Sequence, residues 1–425
     1  MKKINITIIG AGSTYTPELI DGLIRRRESL PVGRLVFMDI DPRKLEIVGG
    51  LCSRILEHAE YPCEIRFSDS LKDSIAGADF VLTQFRVGRL PARYLDETIP
   101  LKYNLIGQET TGIGGFFKAL RTIPVMEEIV SCMEQLCPNA WLINFTNPSG
   151  IITEYLANHT KLKHAGLCNA PVSMYDGIRE AVGEDVGITY VGLNHLSWIT
   201  SVRRDGRELI HELIDRGYHT EAMANIGDGL FQAECLKDIQ AIPSSYLQYY
   251  YNRNKKLAEQ KAALKCRALV CMEIEEELLR LYQDPNLVTK PALLDKRGGH
   301  KYSYVAVSLI DSIVNNRGDH HVVNCRNHGT LPFMDENDVI ETEAIVDADG
   351  IHPIPVLQIQ SPHIIRMMQL IKEYEKLTVK AALTGDASIA RNALLLHPLI
   401  GDYDACSDCF EEMKQVHSIY LPRFQ

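Results

Sequence analysis

Residues 4–24 read INITIIGAGSTYTPELIDGLI. Ile4, Ile6, Ile8 and Ile9 form an apolar, β-branched run, the composition of a buried strand. The run stops at Gly10-Ala11-Gly12-Ser13-Thr14. Thr16 can then cap a helix that has Pro17 at its first position. Leu19, Ile20, Leu23 and Ile24 give that helix one apolar face. Strand, glycine turn and helix start together make a seat for a diphosphate. The glycines let it approach the backbone, and the helix start offers free N–H groups and a positive dipole end. Tyr15 stands where the third glycine of G-x-G-x-x-G would be. A tight turn without a ligand is the simpler alternative. The motif's place at the head of the chain, before a second strand, favours a dinucleotide.

That second strand covers 34–38 and ends in Asp39. An acid at this strand tip accepts hydrogen bonds from the adenosine ribose hydroxyls and favours NAD over NADP, whose extra phosphate it repels. Asp39 lies further from the glycines than is usual. Its alternative use is to cap the next helix, which Asp41-Pro42 begins.

The chain has 425 residues, 45% hydrophobic and 24% charged. That is enough for a substantial core and predicts two domains. A net charge of −10 argues against a general nucleic-acid surface. No apolar run is long enough to cross a bilayer. Met1-Lys2-Lys3 leads directly into a strand, so no signal peptide is expected. Eleven scattered cysteines then read as the reduced thiols of a cytoplasmic protein.

Further strands are predicted at 64–67, 80–84, 140–145 and 164–168, with a helix over 123–136. This alternation predicts a parallel sheet with helices on both faces, and ligands beyond the carboxyl ends of its strands. Gln84-Phe85-Arg86 and Asn144 to Gly150 fall at such ends. Residues 107–115, rich in glycine and threonine, read as a loop that folds close to a ligand or as a flexible surface loop, with Glu109 as their only charge. Arg93 can pair with Asp96 or Glu97 on a helix face. Two strands, 186–191 and 197–203, flank a turn that holds Gly192-Leu193-Asn194-His195-Leu196. Later helices are expected over 254–282, 362–383 and 387–397, and a strand and turn over 322–329. The fold class is therefore α/β: a Rossmann-like parallel sheet in 1–165 that binds the nucleotide, then a mixed α+β domain in 166–425.

Cys168 and His195 sit at the ends of two of these strands. A thiolate and an imidazole so placed can share one metal ion and leave positions open for substrate oxygens. The plainer alternatives are a small buried hydrophobe and a satisfied turn residue.

Gly107-Gln108-Glu109-Thr110, Asn144-Phe145-Thr146-Asn147-Pro148, Gly166-Leu167-Cys168-Asn169 and Gly192-Leu193-Asn194-His195 follow the nucleotide turn in this order. The pattern resembles the NAD- and manganese-dependent glycosidases of glycoside hydrolase family four. The likeness continues through Tyr246-Leu247-Gln248-Tyr249-Tyr250, Arg297-Gly298-Gly299 and Gly385-Asp386 to His397-Pro398-Leu399. Within the family it is most similar to the 6-phospho-β-glucosidases. The resemblance implies a lactate/malate dehydrogenase-like fold and a chemistry outside two-carboxylate hydrolysis. NAD+ takes hydride from C3 of the sugar, a base removes the acidified C2 proton, and the C1 aglycone leaves by elimination. Water then adds and hydride returns to C3. A divalent metal, Mn2+, acts as Lewis acid at the C2 and C3 oxygens.

The resemblance also implies residues. Tyr246 is the base and Glu109 its supporting acid. Gly10, Gly12, Ser13, Thr14, Asp39, Arg43 and Gln84 bind the cofactor, and Cys168 and His195 hold the metal. Arg93, Asn147, Asn169 and Arg267 bind substrate, arginine's planar fork suiting the 6-phosphate. Each has a plainer alternative. Tyr246, with Tyr249, Tyr250 and Tyr251 nearby, can be core packing. Arg267 can be a solvated helix face, and Asn147 can order the turn before Pro148. The metal cysteine is followed by Asn169, where α-specific members carry an acidic aspartate. An amide cannot protonate a leaving group, so β-linked substrates are expected: a phosphorylated disaccharide or an aryl β-glucoside 6-phosphate. His300-Lys301 after Arg297-Gly298-Gly299 is a second departure from the family pattern. A homodimer or homotetramer is implied as well. Two other readings compete: a hydroxy-acid dehydrogenase with the same sheet but no metal, and a non-catalytic NAD sensor. A phospho-α-glycosidase of the same family is a third.

Overall fold

The isoleucine run is buried as β1 (Ile4–Ile9) because strands pair with it on both sides, so both of its faces meet packed layers. The computed structural model describes residues 3–220, 226, 231–297, 302–356, 359 and 361–424. After β1 come α1 (Thr16–Arg25), β2 (Val32–Met38), α2 (Pro42–His58), β3 (Glu64–Ser68), α3 (Leu71–Ile75) and β4 (Phe80–Thr83). Then follow α4 (Arg89–Lys102), α5 (Gly112–Leu136), β5 (Trp141–Asn144), α6 (Ser149–His159), β6 (Lys163–Gly166) and α7 (Ala170–Val182). The hairpin β7 (Gly187–Leu193) and β8 (Leu196–Arg204) precedes β9 (Arg207–Glu208), α8 (Ile210–Asp215), α9 (Ala233–Ile239) and β10 (Ile242–Pro243). A 3-10 turn, Ser245–Leu247, runs into α10 (Gln248–Tyr251), then α11 (Arg253–Ala262), α12 (Arg267–Tyr282) and α13 (Tyr302–Asn315). The chain continues through β11 (Asp319–Arg326), β12 (Val339–Val346), β13 (Ile351–Pro353), α14 (Pro362–Thr384), α15 (Ala387–Leu396) and α16 (Tyr403–Val416).

Among the described residues the strands form one sheet, in the order β10-β8-β7-β12-β11-β6-β5-β4-β1-β2-β3. From β3 to β6 every pairing is parallel. From β6 outward every pairing is antiparallel. The sheet thus runs unbroken across residue 166. Late helices also cover the early half: α13 packs on α1, where Ser303 Oγ donates to Glu18 Oε1 at 2.9 Å. The strand order reverses between β1 and β4, which opens a crevice beyond their carboxyl ends. No helix among the described residues is long and apolar enough to cross a membrane.

Three local expectations change. Thr16 does not cap α1. Tyr15 occupies the cap position, and the Thr16 hydroxyl donates to Ala11 O at 2.8 Å from inside the first turn. Gly112, Gly114 and Gly115 belong to α5 and not to a loop. They are small because backbone presses on the helix there: a Cβ on Gly114 would stand 2.3 Å from Gln108 O and 2.7 Å from Asp96 O. The single helix expected over 254–282 is two, α11 and α12, parted at 263–266. The first turn of α12 is bound by a carboxylate, since Ala268 N–H donates to Glu97 Oε2 at 2.7 Å.

Candidate active site

The glycine turn closes on β2. The N–H groups of Gly10 and Ala11 both donate to Met38 O at 2.9 Å, and Gly10 has the left-handed φ of 86°. Gly12 N–H donates to Asp39 Oδ2 at 2.8 Å, and Asp41 N–H to Asp39 Oδ1 at 2.9 Å. Asp41, not Asp39, caps α2, through Lys44 N–H. Asp39 therefore stays at the strand tip, half-buried beside the turn. Gln84 buttresses the same turn, its Nε2 donating to Thr16 Oγ1 at 2.8 Å. Ser13 Oγ accepts from Tyr15 N–H. Tyr282 donates to Thr14 O at 2.8 Å and ties α12 to the turn. The buried Thr14 Oγ1 has no hydrogen-bond partner. An orphaned hydroxyl at a helix start fits a diphosphate. Arg43 lies exposed on the outer side of α2's first turn.

Gly12 is small because Asp39 needs the room. A Cβ there would stand 2.8 Å from Asp39 Oδ2. Gly12→Ala is expected to push the acid off the turn and raise the Kd for NAD by about tenfold or more, the worth of one hydrogen bond to a charged group. Cofactor titration by fluorescence checks this; an unchanged Kd refutes it.

Glu109 lies in the buried link between α4 and α5. Its Oε1 takes Arg93 Nη1 at 2.9 Å, and its Oε2 takes Lys118 Nζ at 2.8 Å and Arg86. Burial alone would raise this carboxyl, but Arg86, Arg93 and Lys118 hold it well below the usual range. Arg93 does pair with Glu97 one turn on, at 2.6 Å. It is only 3% exposed, however, so this is no solvated helix face. Burial and the neighbouring Arg86 push the Lys118 ammonium down to about 7, so the two arginines supply the lasting positive charge opposite Glu97 and Glu109.

Cys168 and His195 come from the loops after β6 and β7. The strand pair β11 and β12 lies between those strands in the sheet. Sγ and Nε2 face each other at 3.6 Å. His195 holds the left-handed φ of 65° at the β7–β8 turn. The Tyr246 ring stacks on its imidazole at 3.7 Å and 10°. Burial pushes the Cys168 thiol up to about 12 and His195 down to about 3, which leaves the ring as the neutral ligand form. Burial also raises Tyr246 well above an ordinary phenol, with Cys168 and Glu109 adding to the rise and Arg93 opposing it. A soft sulfur and a nitrogen this close fit one divalent ion. Among the described residues no third His, Cys, Asp or Glu joins them, so further positions stay open. Behind them, Asn194 Nδ2 donates to buried Glu341 at 3.0 Å, and its Oδ1 accepts from Gly150 N–H at 3.3 Å.

Asn147 Oδ1 accepts from Ser149 N–H at 3.3 Å, so it does order the turn before Pro148. Asn169 sits directly before α7, next to the Cys168 thiol. Arg267 is half-buried at the start of α12. Its Nη2 donates to Lys296 O at 2.9 Å and Arg297 O at 3.1 Å, so it is tied to the 292–297 turn. Arg297 itself lies over the Tyr15 ring. Gly298, Gly299, His300 and Lys301 fall outside the described residues.

Sequence reasoning quoted Arg86 without giving it a role, and it missed Lys118 and Glu341. Lys118 carried a readable signal: it is a lone cation within Phe116-Phe117-Lys118-Ala119-Leu120. A charge in such a run needs a buried partner. Glu341 gives no comparable sign, since it alternates with apolar residues as any half-exposed strand acid would.

Residues 5–184 match the model of "Family 4 glycosyl hydrolase", and residues 190–400 that of "Family 4 glycosyl hydrolase C-terminal domain". A "Probable 6-phospho-beta-glucosidase" of Bacillus subtilis (strain 168) is 41% identical over 100% of this chain and 98% of its own. The crystal structure of the 6-phospho-beta glucosidase from Thermotoga maritima with manganese, NAD+ and glucose-6-phosphate superposes with a TM-score of 0.88. Its identity is 34%, over 98% of this chain and 99% of that one. Malate dehydrogenase from Plasmodium falciparum shares the fold alone, with a TM-score of 0.53 and 13% identity over 92% of this chain and 99% of that one.

Proposed function

The chain belongs to the family 4 glycosyl hydrolases, and on that premise we propose that it is a 6-phospho-β-glucosidase that uses NAD and a divalent metal, Mn2+. The observation that carries the reading is the meeting of three groups: Cys168 Sγ 3.6 Å from His195 Nε2, with the Tyr246 ring stacked on that imidazole. A hydroxy-acid dehydrogenase has no use for a thiol–imidazole pair. Cellobiose 6-phosphate and aryl β-glucoside 6-phosphates are the substrate class.

Gly10, Gly12, Ser13 and Thr14 seat the dinucleotide, with Asp39 at its ribose and Gln84 bracing the turn. Arg43 stands at the outer edge of that seat. Cys168 and His195 hold the ion. When bound, NAD+ accepts hydride from C3 and returns it, while the ion supplies Lewis acidity at the sugar oxygens and the positive charge that a buried phenol needs to ionise. Tyr246 takes the proton from C2, and elimination then frees the aglycone at C1 before water adds. Glu109, held by Arg86, Arg93 and Lys118, is the supporting acid near Tyr246, and its charge makes the ionised phenol a stronger base. Arg93, with Arg267 and Asn147, suits the 6-phosphate. Asn169 contacts the sugar and, as an amide, leaves the β-linked aglycone without the acid that α-specific relatives place there. Assembly as a homodimer or homotetramer and a cytoplasmic location go with this reading.

A chromogenic 6-phospho-β-glucoside tests it. Turnover should need both NAD+ and Mn2+, stop with chelator, and build up no NADH. NADH formed in proportion to turnover would support the dehydrogenase instead.

A further inference from the structure

We propose that His397 is a positioning residue for removal of the C2 proton, acting through Tyr250 on the two segments that carry Tyr246 and Glu109. The inference rests on the function proposed above. His397 closes α15, far along the chain from either segment, yet it is 1% exposed and lies between them. Leu399 N–H donates to His397 Nδ1 at 3.2 Å. Burial keeps the ring neutral by pushing it down to about 3.

Nε2 lies 3.3 Å from Tyr250 Oη, and Tyr250 Oη lies 2.9 Å from Thr111 Oγ1, each at hydrogen-bonding distance. Gly112 N–H, a first-turn amide of α5, donates to the same Nε2 at 3.4 Å. The Tyr374 ring meets the imidazole edge-on at 4.6 Å and fixes its plane. Tyr250 stands four residues after Tyr246 on one continuous helical turn. Thr111 stands two residues after Glu109. A single hydrogen-bonded chain, His397 with Tyr250 and Tyr250 with Thr111, therefore locks the segment of the base to the loop of its supporting acid. A cavity of about 20 Å³ borders it, lined in part by Thr111, Gly150, Tyr250 and His397. It has room for about one water.

The test compares His397→Leu, His397→Gln and Tyr250→Phe with the wild-type holoenzyme on a 6-phospho-β-glucoside deuterated at C2. His397→Leu and Tyr250→Phe should each lower kcat about tenfold, the worth of one buried hydrogen bond. KM and the Kd for NAD should stay within about twofold. The isotope effect from C2 should rise, because proton removal becomes slower than hydride transfer. His397→Gln, whose amide can donate or accept, should recover most of kcat, and the double variant should be no worse than either single loss. Unchanged kcat, or a loss with no rise in the isotope effect, overturns the proposal. If His397→Leu does not fold, Tyr250→Phe decides alone. A wild type inactive on this substrate sinks the proposed function itself, whereas an active wild type with unaffected variants sinks only the role of His397.

Discussion

Cys168→Ser is expected to lower kcat/KM for a 6-phospho-β-glucoside by about a thousandfold or more, and to abolish the response to added Mn2+. Among the described residues two donors meet at the site, Cys168 Sγ and His195 Nε2, and removing one leaves a single imidazole. A serine hydroxyl is harder, is not ionised, and cannot stand in for a thiolate. Lewis-acid stabilisation is worth several kcal/mol, which sets the size of the loss. The glycine turn is untouched, so the Kd for NAD should be unchanged. Equilibrium Mn2+ binding, followed by metal analysis after gel filtration, should fall in parallel. Full activity in this variant would mean that the metal is held elsewhere.

Tyr246→Phe should cost about a hundredfold to ten-thousandfold in kcat, the range for loss of a general base. The variant keeps the ring that stacks on His195 at 3.7 Å, so the fold and the metal loop should survive. KM should change little, because the phosphate contacts lie elsewhere. Hydride transfer from C3 comes before proton removal. The variant should therefore still reduce bound NAD+ when substrate is added, and then stall with NADH in the site. Retention of half the wild-type rate would remove Tyr246 from the chemistry.

The first βαβ unit was legible because its signals are local. The isoleucine run, the glycine break and the apolar stripe of α1 all lie within residues 4–24 and agree with one another. The later corrections share a different cause. Gly112 to Gly115 read as a loop because glycine is common in loops. Here they admit the backbone of residues 96, 108 and 110 against α5. Nothing in their own stretch says so. The break between α11 and α12 is similar, since the Glu97 carboxylate that binds the new helix start comes from α4. Cys168 and His195 were found by their positions at strand ends. Their meeting depends on β11 and β12 entering the sheet between β6 and β7, from sequence well over a hundred residues downstream. The ion cluster on Glu109 was the least legible part. Arg86, Arg93 and Lys118 are scattered, and of the three Lys118 alone, inside an apolar run, shows in its own stretch that it is buried. The roles of Tyr246 and Arg267 came from the family pattern, not from residue spacing.

The central claim is that a transient ketone at C3 makes the C2 hydrogen removable, so that the C1 bond breaks by elimination. Hydrolysis in heavy water tests it most directly. The account predicts glucose 6-phosphate with solvent deuterium at C2. Product that keeps its original hydrogen at C2 would contradict the account, whatever the cofactor requirement.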